Sequence, residues 1–251
     1  MNIIQVYNLV KKYDGITAVD GISFTVSRGE IFGLLGPNGA GKTTTLEIIE
    51  TLRQKTSGDV TVCDFSIDTH PNEIKKRIGV QLQAAGYYPN ITLTEQLHLF
   101  GGLYNNPVDP QEMLALVGLQ DKSKAKYKEL SGGQKQRFSV CTTLINKPQV
   151  VFLDEPTTGL DPQARRNLWE LIRSIRDRGT TVVITTHYMD EAERLCDRVA
   201  IIEKGKIIAQ DTPENLIDNL IATGFERKKE VKKASLEDVF LSLTGNEWRD
   251  E

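Results

Sequence analysis

The chain has few cysteines, and their pattern predicts neither a disulfide framework nor a metal site. Cys63, Cys141 and Cys196 are odd in number, far apart in the sequence and outside any metal-ligand spacing. Isolated cysteines of this kind are typical of reduced thiols in a cytosolic protein. We therefore expect all three to be packing residues.

Long apolar runs and an excess of one charge are also missing. No stretch approaches the roughly 18 to 20 apolar residues that cross a bilayer, so a membrane-bound role would need another chain to do the spanning. The N-terminus, Met1-Asn2-Ile3-Ile4-Gln5, shows no signal-peptide pattern. A formal net charge of -3 gives no electrostatic reason to expect nucleic acid as a partner.

Strand and helix patterns alternate along most of the 251 residues, a length that favours one domain with an insertion. Alternation at Ile22, Phe24 and Val26 predicts a half-buried strand, and residues 30–35 predict a buried one. The helix expected after residue 42 has an apolar stripe formed by Leu46, Ile49 and Leu52. Further strands are predicted at residues 77–82, 150–153 and 181–185, a helix at residues 163–178, and a hairpin that turns at Lys204-Gly205.

Between residues 94 and 147 the apolar period becomes helical, which predicts a helical insertion at approximately residues 84–147. Strands that alternate with helices predict an α/β fold with a largely parallel sheet and a ligand site at the carboxyl ends of its strands. The main domain is expected to span residues 1–220. In the tail, residues 221–251, we expect a solvated charged run at residues 226–230, with membrane contact as the alternative, and a short helix capped by Ser235.

A glycine-rich segment between a predicted strand and a predicted helix matches a phosphate-binding loop. Its glycines let successive backbone N–H groups point at phosphate oxygens, and the helix N-terminus adds partial positive charge. The pattern assigns Lys42 to the β- and γ-phosphates and the Thr43 hydroxyl to Mg²⁺. The alternative is a glycine-rich turn without a ligand. The segment reads Gly36-Pro37-Asn38-Gly39-Ala40-Gly41-Lys42-Thr43.

Polar residues at the ends of later strands predict the chemistry of this nucleotide site. Asp154 and Glu155 end an apolar strand, where paired acids need a cation or a reacting group, although a helix cap or an ion pair is the alternative. We assign Asp154 to Mg²⁺ and Glu155 to the attacking water. His187 ends the next core strand, and the strand order aims it at the γ-phosphate, although a lone histidine is more often structural. Gln83, with Gln81 as a competitor, can contact Mg²⁺ or the attacking water.

A second glycine-rich helix start lies between the phosphate loop and the acidic strand. Ser131 is a good N-cap, and Gly132 and Gly133, followed by Gln134, leave backbone N–H groups free for a phosphate. Because the chain already has one phosphate loop, this second one is expected to serve the γ-phosphate held by another subunit. The alternative is a capped helix that follows a loop.

Together these motifs resemble the ATP-binding cassette family, in particular the nucleotide-binding subunit of a transporter, over roughly residues 4–220. The resemblance places the Walker A loop at residues 36–44, which adds Thr44, and the signature motif at residues 130–134. It places the Walker B strand at residues 150–154, with Glu155 as the general base. The fold it implies is a RecA-like P-loop NTPase core with an N-terminal antiparallel β subdomain and an inserted α-helical subdomain.

The resemblance also implies roles for single residues. It places Gln83, rather than Gln81, in the Q-loop, Asp161 in a D-loop that contributes to the nucleotide site, and His187 at the switch histidine. It implies that the ring of Tyr13 stacks on adenine, although the sequence alone is equally compatible with a core tyrosine. The tail motif at residues 236–245 resembles the branch of drug, antibiotic and sodium exporters.

The resemblance implies an ATPase that uses ATP and Mg²⁺ and lies on the cytoplasmic face of a membrane through a transmembrane permease subunit. Two ATPase subunits, identical or homologous, would enclose two ATP molecules head to tail. The permease is expected to dock near residues 84–91, with Tyr87 and Tyr88 as candidate contacts and core packing as the alternative. Other classes considered are a non-transport ATPase of the same family, in DNA repair or on the ribosome, and a stand-alone nucleotide-binding regulator.

Overall fold

A computed structural model of the chain describes residues 1–81 and 86–225. The predictions for Gln83 and for the tail from residue 226 onward, with its Ser235-capped helix, lie outside the described residues. The chain divides into two compact units, Met1–Leu216 and Ile217–Glu251. No helix in the described part of the chain is both long enough and apolar enough to span a membrane.

The described residues form ten strands and eight helices, with two short 3₁₀ turns at Gln120–Lys122 and Tyr127–Glu129. The strands are β1 (Asn2–Tyr13), β2 (Ile16–Ser27), β3 (Ile31–Leu35), β4 (Ser57–Val62), β5 (Phe65–Ser66), β6 (Ile78–Gln81), β7 (Val150–Asp154), β8 (Thr181–Thr186), β9 (Arg198–Glu203) and β10 (Lys206–Asp211). The helices are α1 (Lys42–Ile49), α2 (Pro71–Lys75), α3 (Leu93–Leu103), α4 (Pro110–Leu116), α5 (Gly132–Thr143), α6 (Pro162–Asp177), α7 (Met189–Leu195) and α8 (Pro213–Ala222).

The strands form two sheets. The N-terminal sheet has the order β2-β1-β4-β5, and its paired strands are antiparallel. The second sheet has the order β10-β9-β3-β8-β7-β6; all its neighbours are parallel except the β9–β10 hairpin, which forms one edge. The expectation of a largely parallel core sheet with an antiparallel N-terminal subdomain is therefore confirmed.

Apolar side chains bury both faces of the parallel sheet. Along β7, Val150 and Phe152 belong to a core cluster shared with α1 and the N-terminal sheet, while Val151 and Leu153 belong to a second cluster with α5, α6 and α7. A strand buried on both faces has a continuous apolar sequence rather than an alternating one, and β7 has that sequence. The second cluster also joins α3 and α4 of the helical insertion to the sheet.

The three cysteines are packing residues, as expected. Cys63, Cys141 and Cys196 are free thiols with buried side chains. Burial raises the pKa of Cys63 to about 11 and that of Cys141 to about 12, so both thiols stay protonated at neutral pH.

The prediction that Leu52 continues the buried stripe of α1 is wrong. The helix ends at Ile49, and Thr51 adopts a positive φ of 63°, which turns the chain out of the helical path. Leu52 is therefore exposed, whereas Leu46 and Ile49 are buried. The apolar residues keep their helical spacing in the sequence as far as Leu52, but the backbone leaves the helix after Ile49.

Candidate functional site

Three parallel strands bring the predicted site residues to one edge of the core sheet. β8 lies between β3 and β7, with Leu35 paired to Thr186 and Asp154 paired to Thr185. The phosphate loop follows β3, Asp154 ends β7 with Glu155 directly after it, and His187 follows β8. Adjacent parallel strands end at the same edge, which places these segments side by side.

The phosphate loop needs glycine where its backbone is tightly packed. Gly41 has a φ of 102°, a conformation that side-chain-bearing residues rarely adopt, and it lies against the backbone oxygen of Ala18. A Cβ atom on Gly36 would collide with the Ile202 carbonyl oxygen. The loop and the start of α1 line a cavity of about 370 Å³, and its lining residues are Ala18, Asn38, Gly39, Gly41, Lys42, Thr43, Thr44 and Glu155.

The ammonium group of Lys42 is buried in the loop, and its charge is compensated by neighbouring oxygen atoms. Its ammonium group donates hydrogen bonds to the carbonyl oxygens of Gly36, at 2.9 Å, and Pro37, at 3.1 Å. Its Nζ also lies 3.3 Å from Glu155 Oε1. A phosphate that entered the cavity would meet a cation already directed at the loop by these contacts.

Asp154 and Thr43 form an oxygen pair beside Lys42. The Thr43 hydroxyl donates to the Asp154 carboxylate, with Oγ1 at 3.1 Å from Oδ2. Burial raises the pKa of Asp154 above its ordinary value, against the opposing effect of hydrogen bonds from Thr185 and Thr43. Hard divalent cations such as Mg²⁺ prefer oxygen ligands of this kind.

Glu155 lies between two potential cations. Its Oε1 contacts Lys42, and its Oε2 lies 3.3 Å from His187 Nδ1, although the ring geometry does not complete a hydrogen bond. Burial alone would raise the pKa of Glu155, but His187 and Lys42 outweigh it and hold the pKa below the ordinary value. The carboxylate is therefore ionised at neutral pH, as a general base must be.

Thr185 is a site residue that the sequence analysis missed. Its hydroxyl donates to Asp154 Oδ1 and accepts the Glu155 backbone N–H at 3.0 Å, and its side chain is fully buried. Glu155 itself has a φ of 47°, a left-handed conformation that costs free energy for a residue with a side chain. The only signal in the sequence was a threonine at the buried end of an apolar strand, where a hydroxyl needs a partner.

The second glycine-rich helix start is capped as predicted. Ser131 Oγ accepts the Gln134 N–H at 3.3 Å, and Gln134 Oε1 accepts the Ser131 N–H at 3.0 Å, which together form a capping box at the start of α5. Gly133 lies so close to Ala164 on α6 that a Cβ there would be 2.9 Å from the Ala164 Cβ. Asp161 caps α6 by accepting the Ala164 N–H at 2.8 Å.

These two helix starts line a cavity of their own, of about 460 Å³. No residue is shared between its lining and that of the phosphate-loop cavity. The structure therefore does not bring Ser131, Gly132, Gly133, Gln134 or Asp161 to the phosphate loop of the same chain. Its lining residues are Ser131, Gly132, Gly133, Gln134, Arg137, Gly159, Leu160, Asp161, Gln163, Ala164 and Asn167.

The remaining predicted residues, Tyr13 and the glutamine at position 81, differ in how far they are exposed. Tyr13, at the end of β1, is exposed rather than in the core, with Lys11 Nζ at 4.9 Å and Arg53 Cζ at 5.6 Å from its ring centroid. Gln81 is buried at the end of β6, and its Oε1 has no hydrogen-bond partner among the residues that the structure describes. Its competitor Gln83 lies outside those residues.

The two candidate docking tyrosines differ sharply. The Tyr87 ring packs between Phe100, Tyr127 and Phe138, and its hydroxyl is bonded to Ser139 and Thr142. Tyr87 is thus a packing residue of the helical insertion, which was the alternative to docking. Tyr88 is 53% exposed and remains available to a partner.

Comparisons with known proteins identify the family. The sequence profile of the ABC transporter family matches residues 19–158. The chain is 37% identical to the Nod factor export ATP-binding protein I of Burkholderia lata, over 97% of each chain. It is 40% identical to the linearmycin resistance ATP-binding protein LnrL of Bacillus subtilis, over 86% of this chain and 71% of that protein.

Solved structures of ABC cassettes share the fold. The ADP conformation of an ATP-binding cassette of an ABC transporter superposes with a TM-score of 0.79 at 26% identity, over 88% of this chain and 95% of that chain. A dimeric cassette in a post-hydrolysis state, bound to ADP and Pi, superposes with a TM-score of 0.74 at 25% identity, over 83% of this chain and 98% of that one. This chain belongs to the ABC transporter family, as an ATP-binding subunit that hydrolyses ATP.

Proposed function

We propose that the chain powers an ABC exporter and that it hydrolyses ATP in a site completed by a second ATPase subunit, identical or homologous. The observation that carries this proposal is the separation of the two cavities on one chain. The phosphate loop lines one of them, and Ser131 with the start of α5 lines the other. In a head-to-tail pair each chain's α5 N-terminus faces the γ-phosphate held by its partner, and the enclosed ATP joins the two chains.

Mg²⁺ fits the oxygen pair formed by Thr43 and Asp154, with Gln83 as a proposed additional ligand. In nucleotide sites Mg²⁺ is bound by one or two protein oxygens together with phosphate oxygens. The described residues contain no group of three or more His, Cys, Asp and Glu side chains suited to hold a metal ion. When bound, Mg²⁺ neutralises charge that develops on the phosphates.

The chain's own residues position the reacting groups. Lys42 stabilises charge on the β- and γ-phosphates, and Glu155 accepts a hydrogen bond from the attacking water and polarises it. His187 contacts the γ-phosphate and holds that water in line. Tyr13 stacks on adenine, and its ring is exposed, as such stacking requires. Loss of the γ-phosphate then releases the partner's α5, and the pair of subunits opens.

Thr185→Val tests the hydroxyl that joins Asp154 to Glu155. Valine keeps the shape of threonine but removes both hydrogen bonds. A hydrogen bond to a charged group contributes about 1.5–3 kcal/mol, so we expect kcat to fall roughly tenfold with little change in the KM for ATP. Steady-state kinetics measure both constants. Thr185→Ser should retain activity, and Thr181→Val, a buried change at the far end of the same strand, should lower stability alone. A wild-type kcat in Thr185→Val would contradict this role.

Export through a transmembrane permease is supported by the names of the relatives, which concern Nod factor export and linearmycin resistance. The chain would then lie on the cytoplasmic face of the membrane, bound to the permease. We propose that residues 1–220 form the ATPase domain, with the helical insertion at about residues 84–147, and that residues 221–251 form a tail. The exposed Tyr88 precedes α3 of that insertion and is the proposed permease contact.

Tyr88→Ala tests this docking surface and the transport function together. The variant should keep its basal ATPase activity. Its affinity for the permease in a detergent extract of membranes should fall roughly tenfold, as expected when an aromatic anchor is removed. Co-purification with detergent-solubilised membranes and membrane-stimulated ATPase activity measure the effect. Tyr104→Ala is the matched control, because Tyr104 is 50% exposed elsewhere on the insertion. Equal membrane binding by both variants would exclude Tyr88 as the contact, and failure of the unmodified chain to co-purify with a membrane protein would argue against the transport function.

A further inference from the structure

Two side-chain contacts join α6 to the segment that follows His187. Arg165, in the first turn of α6, places its guanidinium carbon 4.8 Å from the centroid of the Tyr188 ring. One turn later, Trp169 Nε1 donates a hydrogen bond of 2.9 Å to Glu191 Oε1. Residues four positions apart lie on the same face of a helix, so a single face of α6 holds the whole segment.

The hydrogen bond between Trp169 and Glu191 fixes α6 and α7 to each other. Glu191 is fully buried, Trp169 is nearly so, and the other carboxylate oxygen of Glu191 has no hydrogen-bond partner in the described part of the chain. Removing one partner of such a buried pair leaves a costly polar group behind. Trp169 and Glu191 therefore hold α7 against α6. The second contact, from Arg165, is made with the Tyr188 ring itself.

Tyr188 in turn supports the imidazole of His187. The two ring centroids are 4.1 Å apart, with an angle of 39° between the planes. His187 Nδ1 forms no hydrogen bond to any described residue, although it lies 3.3 Å from Glu155 Oε2. The Tyr188 ring therefore constrains the tilt of the imidazole, together with the contact between Nδ1 and Glu155.

Arg165 is suited to hold that ring. Its nearest carboxylate, Asp190, is half exposed and 3.7 Å away, and an exposed pair of this length contributes little. Its Nε is buried without a hydrogen-bond partner among the described residues. A planar guanidinium stacks well on an aromatic ring, so the contact with Tyr188 is the defined interaction of this side chain.

The backbone of Arg165 connects this contact to the other cavity. Its N–H donates to the carbonyl oxygen of Asp161 at 3.0 Å, and Asp161 and Ala164 line the cavity at the start of α5. In the proposed pair of subunits, this is the cavity that faces the partner's ATP. Arg165 therefore lies between that cavity and the Tyr188 ring.

We propose that Arg165 is a positioning residue that orients His187 through Tyr188. The proposal rests on the role of His187 given under Proposed function. It assigns Arg165 no contact with ATP. Its removal is therefore expected to impair turnover without weakening nucleotide binding.

Arg165→Met tests the link, because methionine keeps an unbranched apolar stem but loses the cation and its plane. We expect kcat to fall roughly tenfold, since a small misplacement of a reacting group is costly, while the KM for ATP stays within about twofold. Histidine NMR provides a second readout: the chain has three histidines, so the His187 imidazole signals should move while those of His70 and His98 stay in place. Arg166→Met, on the exposed side of the same helix, is the matched control.

A double-mutant cycle shows whether Arg165 acts through Tyr188. Tyr188→Ala should reproduce the loss of kcat, and adding Arg165→Met to it should cause no further loss. Wild-type kcat in Arg165→Met with unmoved His187 signals would overturn the proposal. So would a fall in both kcat and thermal stability with unmoved His187 signals, because that result indicates a structural role alone.

The same series separates this inference from the proposed function. His187→Ala is measured in parallel with the Arg165 variants. Full turnover in His187→Ala would contradict the role of His187 itself. An inactive His187→Ala beside a fully active Arg165→Met would overturn the link through Tyr188 and leave the proposed function standing.

Discussion

Glu155→Gln is expected to abolish ATP turnover, to keep ATP binding and to accumulate an ATP-bound dimer. An amide cannot serve as the general base that Glu155 provides, a contribution of about 100-fold to 10,000-fold. Lys42 keeps its bonds to the carbonyl oxygens of Gly36 and Pro37, so the phosphate loop should retain its conformation. Steady-state ATPase assays measure the loss, and light scattering coupled to gel filtration measures the dimer.

The dimer is the more informative half of this result. If ATP joins two chains and hydrolysis releases them, blocking hydrolysis must trap the joined state. Glu170→Gln, an exposed change on α6, is the control and should turn over ATP normally. A Glu155→Gln variant that stays monomeric in saturating ATP would count against the split site, even if its turnover is lost.

Ser131→Arg is expected to leave ATP binding to the single chain unchanged and to stop hydrolysis. The arginine side chain would enter the cavity at the start of α5, which shares no lining residue with the phosphate-loop cavity. It would block the approach of the partner's γ-phosphate to the α5 N-terminus. Loss of one such stabilising group typically costs about 100-fold to 1,000-fold in kcat.

A fluorescent ATP analogue measures binding, and phosphate release measures hydrolysis. Replacing the N-cap also costs about 1 kcal/mol of stability, so thermal unfolding should be followed in parallel. Ser131→Thr keeps a capping hydroxyl and should retain activity. Normal hydrolysis in Ser131→Arg would refute the assignment of residues 130–134 to the partner's site.

Local patterns were enough to predict the segments that carry the site. The phosphate loop, the buried strand that ends at Asp154 and the cap at Ser131 each depend on a short run of residues whose backbone requirements are visible in the sequence. The parallel order of the core sheet followed from the alternation of strands and helices. That order explains why residues separated by more than a hundred positions, such as Thr43 and Asp154, form a hydrogen bond.

These local patterns could not predict contacts between side chains that lie far apart in the sequence. The hydroxyl of Thr185 joins Asp154 to the Glu155 backbone, but the sequence shows only a threonine in an apolar strand. Tyr87 and Tyr88 are adjacent and chemically identical, yet one is enclosed by aromatic rings and the other is exposed. Their difference depends on where α3 and α5 lie, which no local spacing encodes.

The most direct test of the shared site is to mix two impaired variants. Glu155→Gln lacks the base, whereas Ser131→Ala lacks the side chain offered to the partner without adding bulk that blocks closure. In a head-to-tail pair of one chain of each kind, one site combines both defects and the other is intact. We predict that the two variants, mixed before ATP is added, hydrolyse ATP faster than the sum of their separate rates. A mixture that only matches that sum would contradict the account, because it would mean that each chain hydrolyses ATP with its own residues alone.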